Sequence, residues 1–141
     1  MRVIVHIDGG ARGNPGPAGA GVVIRAGDDG TVLHRGGYYL GHATNNVAEY
    51  RGLLIGLETA RSLGADEVEI VSDSQLLVRQ MTGEYRVKNE GLKPLFEEAG
   101  ALAAGLSRFA IRHVRREENT DADGLVKQAT NLRRNVEDAS A

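Results

Sequence analysis

Residues 2–8 are Arg-Val-Ile-Val-His-Ile-Asp, a run rich in β-branched side chains that ends in a carboxylate directly before Gly9. Such a run predicts a strand, and residues 20–25 and 31–40 predict two more. The Gly/Pro-rich stretch at 13–21 lies between the first two apolar runs and is typical of a tight β-turn region. Three consecutive strands joined by turns indicate an antiparallel meander.

After the meander the pattern changes to helices that alternate with strands. The predicted helices are 46–63, 74–81, 91–106 and 119–134, and the further predicted strands are 67–72 and 109–114. The order βββαβααβα predicts an α/β fold, a five-stranded mixed sheet with helices packed on its faces. We expect one domain over 1–134 and a polar tail over 135–141 that frays.

Composition restricts the chemistry that the chain can perform. The 141 residues include no Cys, which excludes disulfides and thiolate-held metal sites. The four His residues form no close-spaced pair. Any metal would therefore be held by oxygen, which suits Mg²⁺ or Mn²⁺.

Charge and hydropathy indicate the class of protein. The net charge of −2 argues against binding nucleic acid by bulk charge alone and leaves room only for a local basic track. The apolar runs are too short for a transmembrane span, and the start of the chain has no signal-peptide pattern. We expect a cytoplasmic monomer with no membrane association and no obligate protein partner.

Four acids lie at the ends of predicted elements. Asp8 ends the first strand and Asp73 ends the fourth, while Glu49 lies in the first turn of the long helix and Asp123 in the last helix. Asp8 could instead form a turn with the glycines that follow it, and Asp73 could cap the next helix, although its neighbouring serines could cap equally well.

The two helical acids also have structural alternatives. Asn46-x-x-Glu49 has capping-box spacing, which favours a cap when Glu49 is considered alone. Asp123 could form an exposed i,i+4 pair with Lys127, a pair that contributes only about 0.2–0.5 kcal/mol.

The joint placement of the four acids favours a metal site. Carboxylates that cluster at one corner of a sheet repel one another unless cations neutralise them. Two such cations, roughly 3.5–4 Å apart, can promote in-line phosphoryl displacement. This chemistry needs neither Cys nor a His nucleophile.

Several ordered motifs extend this interpretation. They are Asp-Gly-Gly-Ala-Arg-Gly-Asn-Pro-Gly at 8–16, Thr-Asn-Asn-Val-Ala-Glu at 44–49, Ser-Asp-Ser at 72–74 and Asn-Thr-Asp-Ala-Asp at 119–123. With these motifs the chain resembles the type 1 ribonucleases H from Val3 to about Arg134. The resemblance implies a two-Mg²⁺ endonuclease that cuts the RNA strand of RNA–DNA hybrids and leaves 5′-phosphate and 3′-hydroxyl ends.

The resemblance also implies roles for the acids. Asp8 would bridge both metals, Glu49 would bind a metal and touch the 2′-OH, and Asp73 and Asp123 would complete the site, Asp123 as the more mobile ligand. Asp121 competes with Asp123, but the Asn-x-x-x-Asp spacing from Asn119 favours Asp123.

Substrate contacts are implied in the same way. The RNA strand would meet the backbone at Gly9, Gly10 and Arg12 and the side chains of Asn14, Asn45 and Asn46. Thr44 and Asn89, with the neighbouring Lys88, resemble the family's pocket for a DNA phosphate. Asn89 could equally be an N-cap of the helix that begins near residue 91.

The chain departs from the family in two places. The segment 81–92 is short and contains no Trp, in contrast to the basic protrusion of many members; Arg79, Arg86, Lys88 and Lys93 could supply a reduced basic track. The loop before the last helix has no His where many members carry one that assists product release. Candidates for that role are His113, Arg116 and Glu117, and His42 is a second candidate for a phosphate contact.

Three other functions compete. A silent hybrid-binding module would gain nothing from acids that repel phosphate. A metal-dependent resolvase acting on duplex DNA has no use for segments suited to ribose. A nucleotide-binding protein would need a Gly-Lys-Ser/Thr or Gly-x-Gly-x-x-Gly motif, and the stretch 9–21 has neither.

Overall fold

The structure, a computed structural model, describes residues 1–138. The strands are β1 (Arg2–Ala11), β2 (Gly16–Ala26), β3 (Val32–Ala43), β4 (Glu67–Ser72), β5 (Arg108–His113) and β6 (Val136–Asp138). The α-helices are α1 (Asn45–Ser62), α2 (Gln75–Met81), α3 (Lys93–Ala104) and α4 (Thr120–Leu132), with a 3-10 turn at Arg116–Glu118.

The strands of this part of the chain form one sheet in the order β5-β4-β1-β2-β3-β6. β1 lies near its centre, antiparallel to β2 and parallel to β4. Its β-branched residues Val3, Val5 and Ile7 are fully buried in the main hydrophobic core, together with Leu53 of α1. The predicted α/β class and mixed sheet are therefore confirmed.

The helices α1 and α4 cover opposite faces of the sheet. α1 contacts β1 and β2, and α4 contacts β2 and β3. α4 approaches so closely that a Cβ on Gly21 of β2 would lie 2.1 Å from the carbonyl oxygen of Ala122. Only glycine permits this approach, which fixes the backbone of the helix directly beside Asp123.

The predicted number of strands was wrong. Val136–Asp138 form β6 and pair with Arg35–Gly37 of β3, although the sequence placed them in a fraying tail. Asn135 Oδ1 accepts a hydrogen bond from the Tyr39 N–H (2.9 Å), and Tyr38 Oη donates one to Glu137 (3.1 Å). The predicted tail residues 139–141 lie outside the described residues.

The Gly/Pro-rich stretch also differs from its prediction. β2 begins at Gly16, and only residues 12–15 form the connection to β1. Gly16, Gly19 and Gly21 therefore lie within β2. Glycine is needed at these positions because neighbouring backbone atoms approach each of them closely. No helix among residues 1–138 is long and apolar enough to cross a membrane.

Candidate active site

Three of the predicted acids meet at the end of the sheet where the ladder between β1 and β4 finishes. The parallel ladder between β1 and β4 ends at the Ile7–Ser72 pair, so the next residues, Asp8 and Asp73, emerge side by side. Glu49 joins them from α1. One carboxylate oxygen of each residue lies within 4.8 Å of the oxygens of the other two.

Glu49 does not cap its helix. Thr44 is the N-cap of α1, and its Oγ1 accepts a hydrogen bond from the Val47 N–H (3.2 Å). The capping-box interpretation of Asn46 and Glu49 was therefore wrong. A Cβ on Gly9 would lie 2.3 Å from the carbonyl of Ala48, so the start of α1 rests against β1 directly after Asp8.

Asp73 is likewise free of a capping role. Ser74 Oγ caps α2 by accepting from the Leu77 N–H (3.2 Å), and Ser72 Oγ accepts from the Ser74 N–H (3.0 Å). The two neighbouring serines thus accept hydrogen bonds from the N–H groups of this turn. The carboxylate of Asp73 remains available to the cluster that it forms with Asp8 and Glu49.

The cluster strongly perturbs proton binding. The pKa of Asp8 is raised to about 8, first by burial and then by the negative charges of Asp73 and Asp123, while a hydrogen bond from the Gly9 backbone opposes the change. Burial also raises the pKa of Glu49 well above its usual value, with contributions from Asp8 and Asp73. Large pKa shifts that arise from burial together with specific charged neighbours are typical of functional sites.

The oxygens suit a hard divalent cation. Glu49 Oε2 and Asp73 Oδ2 are buried and accept no hydrogen bond from any described residue. Buried carboxylate oxygens without a donor are costly unless a cation or water satisfies them. Oxygen-only ligands at this mutual distance fit Mg²⁺ or Mn²⁺.

Asp123 lies beside this group. It raises the pKa of Asp8 both by its charge and by a side-chain hydrogen bond. It also pairs with Lys127 (3.0 Å), so the predicted i,i+4 pair exists alongside the contact with the cluster. Asp121 instead pairs with Arg25 of β2 (2.9 Å) and belongs to another surface.

Two of the residues predicted to contact substrate, Asn14 and Asn45, use their side-chain oxygen within the protein and keep a donor free for a ligand. Asn14 Oδ1 accepts from the Asn45 N–H (3.0 Å), and Asn45 Oδ1 accepts from the Ala11 N–H (2.8 Å). These bonds join the end of β1, the connection to β2 and the start of α1. With the oxygens held, each exposed amide presents its NH₂ group as the available donor.

Asn89 has the alternative role that the sequence allowed. Its Oδ1 accepts from the N–H groups of Gly91 (2.8 Å) and Leu92 (3.2 Å), so it caps the turn that leads into α3. Lys88, the residue before Asn89, is exposed.

The remaining predicted substrate residues lie around the acids. Arg12 and Asn46 are exposed, Gly10 is partly exposed, and Gly9 is buried under α1. At the two ends of the segment between α2 and α3, Arg79 of α2 contacts Glu84 (3.7 Å) and Lys93 of α3 contacts Glu90 (2.9 Å). Two cations of the predicted basic track are thus paired within the protein.

The auxiliary candidates differ in position. His113 is the last residue of β5, within the predicted strand 109–114, and its side chain is exposed. Arg116 lies in the 3-10 turn, and its positive charge lowers the pKa of Glu49. Glu117 and His42 are exposed. Arg116 is thus the candidate with an electrostatic link to the acids.

Asn119 is a residue whose structural importance the sequence did not reveal. In the sequence, Asn119 only defines the spacing that selects Asp123. In the structure the residue is 1% exposed, and its Nδ2 donates to the carbonyl of Ile7 (2.8 Å). The pattern Asn-x-x-x-Asp was the available signal.

Comparison with known proteins gives the family. A family described as reverse transcriptase-like matches residues 6–129. A bifunctional protein of Mycobacterium tuberculosis is 48% identical over 129 residues, which are 92% of this chain and 35% of that protein. The chain thus spans about a third of the length of this mycobacterial relative.

Two solved structures are similar over almost their whole length. RNase H1 from Halobacterium salinarum is 40% identical with a TM-score of 0.91, over 94% of this chain and 99% of that one. LC11-RNase H1, from a compost metagenome and solved in complex with an RNA/DNA hybrid, is 43% identical with a TM-score of 0.87, over 93% and 98%. The matched family, the ordered motifs and the acids at this end of the sheet agree, and this chain belongs to the type 1 ribonucleases H.

Proposed function

We propose that this protein hydrolyses the RNA strand of RNA–DNA hybrids in a reaction that depends on divalent metal ions. The observation that carries the proposal is the meeting of Asp8, Glu49 and Asp73 within 4.8 Å, with two buried oxygens that lack a donor. The similarity to LC11-RNase H1, which binds an RNA/DNA hybrid, supports the choice of substrate.

Asp8, Glu49 and Asp73 would hold the metal, with Asp123 as the outer and more mobile ligand. Two Mg²⁺ ions bound there, or Mn²⁺ in their place, would supply activation of a water and stabilisation of charge on the leaving oxygen. Water would attack the phosphate and leave a 5′-phosphate and a 3′-hydroxyl end.

The chain's own donors would select the substrate. The NH₂ groups of Asn14 and Asn45, both exposed, can donate to a 2′-OH in the minor groove, which distinguishes RNA from DNA. Asn46 and Arg12 are exposed beside them. Lys88, Asn89 and the Thr44 hydroxyl would contact phosphates of the DNA strand.

The central test uses labelled substrates. RNA–DNA hybrid, duplex DNA and duplex RNA are incubated with Mg²⁺ or with EDTA. We expect Mg²⁺-dependent cleavage of the hybrid's RNA strand, with loss of at least about a thousandfold in Asp8→Asn. Asp121→Asn is the matched control, because that acid pairs with Arg25 outside the cluster.

The outcomes separate the mechanism from the substrate. Hybrid cleavage that persists in EDTA or in Asp8→Asn would contradict the metal mechanism. Cleavage of duplex DNA without cleavage of hybrid would replace the proposed substrate.

We also propose that Arg116 takes the auxiliary role in the loop before α4. Its positive charge already acts on Glu49, whereas His113 is fixed in β5. We expect Arg116→Ala to lower kcat at least about tenfold and His113→Ala to change it less than about twofold. The reverse ranking in steady-state assays would assign the role to His113.

A further inference from the structure

Asn119 occupies the junction between two strands that carry acids. The β1–β4 ladder ends at the Ile7–Ser72 pair, beyond which the two strands lead to Asp8 and Asp73. The Asn119 Nδ2 donates to the carbonyl of Ile7 at this end of the ladder (2.8 Å). The amide therefore holds the backbone one residue before Asp8.

The same residue also holds the start of α4. The carbonyl of Asn119 accepts the N–H of Asp123 (3.1 Å), and the N–H of Asn119 donates to the carbonyl of Arg116 (3.0 Å). One residue thus joins the strand of Asp8 to the helix of Asp123. The 3-10 turn that carries Arg116 is attached at the same point.

Packing alone does not account for an amide at this position. The Oδ1 of Asn119 is buried and has no hydrogen-bond partner among residues 1–138. An amide oxygen buried in this way costs stability, and an apolar side chain would avoid that cost. The donor to Ile7 is the feature that an apolar residue could not supply.

We propose that Asn119 is a positioning residue that sets the place of the Asp123 carboxylate relative to Asp8, and thereby the metal affinity of the site. This inference rests on the proposed metal-dependent function. Residues that hold a metal ligand through such hydrogen bonds typically affect metal affinity or activity roughly 10–100-fold when changed.

The test compares Asn119→Ala with Tyr50→Phe. Tyr50 is 1% exposed, and its hydroxyl donates to Gln80 (2.6 Å) in the core, so its loss removes a buried hydrogen bond that the site does not use. Mg²⁺ is titrated into each protein while the melting temperature is recorded. In parallel, kcat and KM on the hybrid are measured at each Mg²⁺ concentration.

We expect Asn119→Ala to need about tenfold more Mg²⁺ for half of the thermal shift and to lose kcat with KM within about twofold of the unchanged protein. Tyr50→Phe should lower the melting temperature and leave the Mg²⁺ requirement unchanged. Asn119→Leu, which keeps side-chain volume without the donor, should behave like Asn119→Ala.

A double variant tests whether Asn119 acts through Asp123. If it does, Asp123→Asn combined with Asn119→Ala should bind Mg²⁺ no more weakly than Asp123→Asn alone. Additive losses, or a Mg²⁺ requirement of Asn119→Ala equal to that of Tyr50→Phe, would overturn the proposal.

Failure of the two proposals can be told apart. If the unchanged protein does not cleave hybrid, the proposed function fails, and the Mg²⁺-induced thermal shifts still decide the role of Asn119. Absence of any Mg²⁺-induced shift in the unchanged protein would overturn the role of Asn119 as well.

Discussion

At the scale of single residues, Asp8 reduces the stability of the metal-free protein. Its pKa rises to about 8 in the folded state through burial and the charges of Asp73 and Asp123. The unfolded chain releases this proton near pH 3.8, its ordinary value. Between these limits the folded state binds more protons than the unfolded state, so the free energy of unfolding falls as pH rises.

Asp8→Asn should therefore stabilise the protein in EDTA. We expect its advantage in melting temperature to be small near pH 4, to grow as pH rises, and to reach at least about 3 °C at pH 8. Glu58→Gln, at an exposed position of α1, is the control for loss of one negative charge. Thermal denaturation at several pH values checks the trend, and a constant difference across the range would contradict it. Added Mg²⁺ should favour the unchanged protein instead.

At the scale of elements, the contact between β1 and α1 brings Glu49 to Asp8. Gly9→Ala should disrupt this contact, because the new Cβ would lie 2.3 Å from backbone atoms of Ala48 that cannot rotate away. We expect a loss of at least about 3 kcal/mol in the free energy of unfolding, together with loss of hybrid cleavage.

Gly100→Ala on α3 is the matched control, since a Cβ at this position would meet no heavy atom of the described chain within 4 Å, apart from its helical neighbours. Alanine favours a helix, so this change should add roughly 0.5–1 kcal/mol to stability. Denaturant titration of both variants measures the contrast. Equal stability of the two variants would show that α1 can move away from β1 without cost.

Elements with a strong local pattern could be predicted from the sequence, and those that depend on tertiary contacts could not. The core strands and α1 follow from apolar periodicity. β6 did not, because the short segment Val136–Asp138, two of whose residues are acids, forms a strand only where the edge of β3 is available. Glu49 was ambiguous for a related reason, since its spacing from Asn46 matches a cap while Thr44 makes the cap. The approach of Gly9 to Ala48 decides its role, and no local pattern reports that distance.

At the scale of the whole molecule, β6 covers one edge of the sheet. Ending the chain at Arg134 would remove three backbone pairs with β3 and the contacts of Asn135 and Glu137. We expect a loss of about 1–3 kcal/mol in stability and greater self-association through the uncovered edge. Denaturation and light scattering measure both. Asn135→Ala, which removes one hydrogen bond, should lose less stability and stay unassociated; equal behaviour of the two proteins would contradict an edge-covering role.

The distribution of charge over the molecule should limit hybrid affinity. With a net charge of −2, attraction to phosphate depends on local cations. Glu84 and Glu90, in the segment between α2 and α3, neutralise Arg79 and Lys93 at its two ends. Cations paired with acids release fewer counterions when they meet phosphate.

Glu84→Gln combined with Glu90→Gln should therefore tighten hybrid binding. Two freed cations would lower KM several-fold at low salt. They would also steepen the slope of log KM against log salt concentration by about 1–2. kcat should stay unchanged, because neither acid belongs to the cluster at Asp8. Glu58→Gln with Asp121→Asn changes net charge equally at other surfaces and serves as control. KM measured from about 50 to 300 mM salt gives the slope, and an equal gain in the control pair would assign the effect to net charge instead of to this segment.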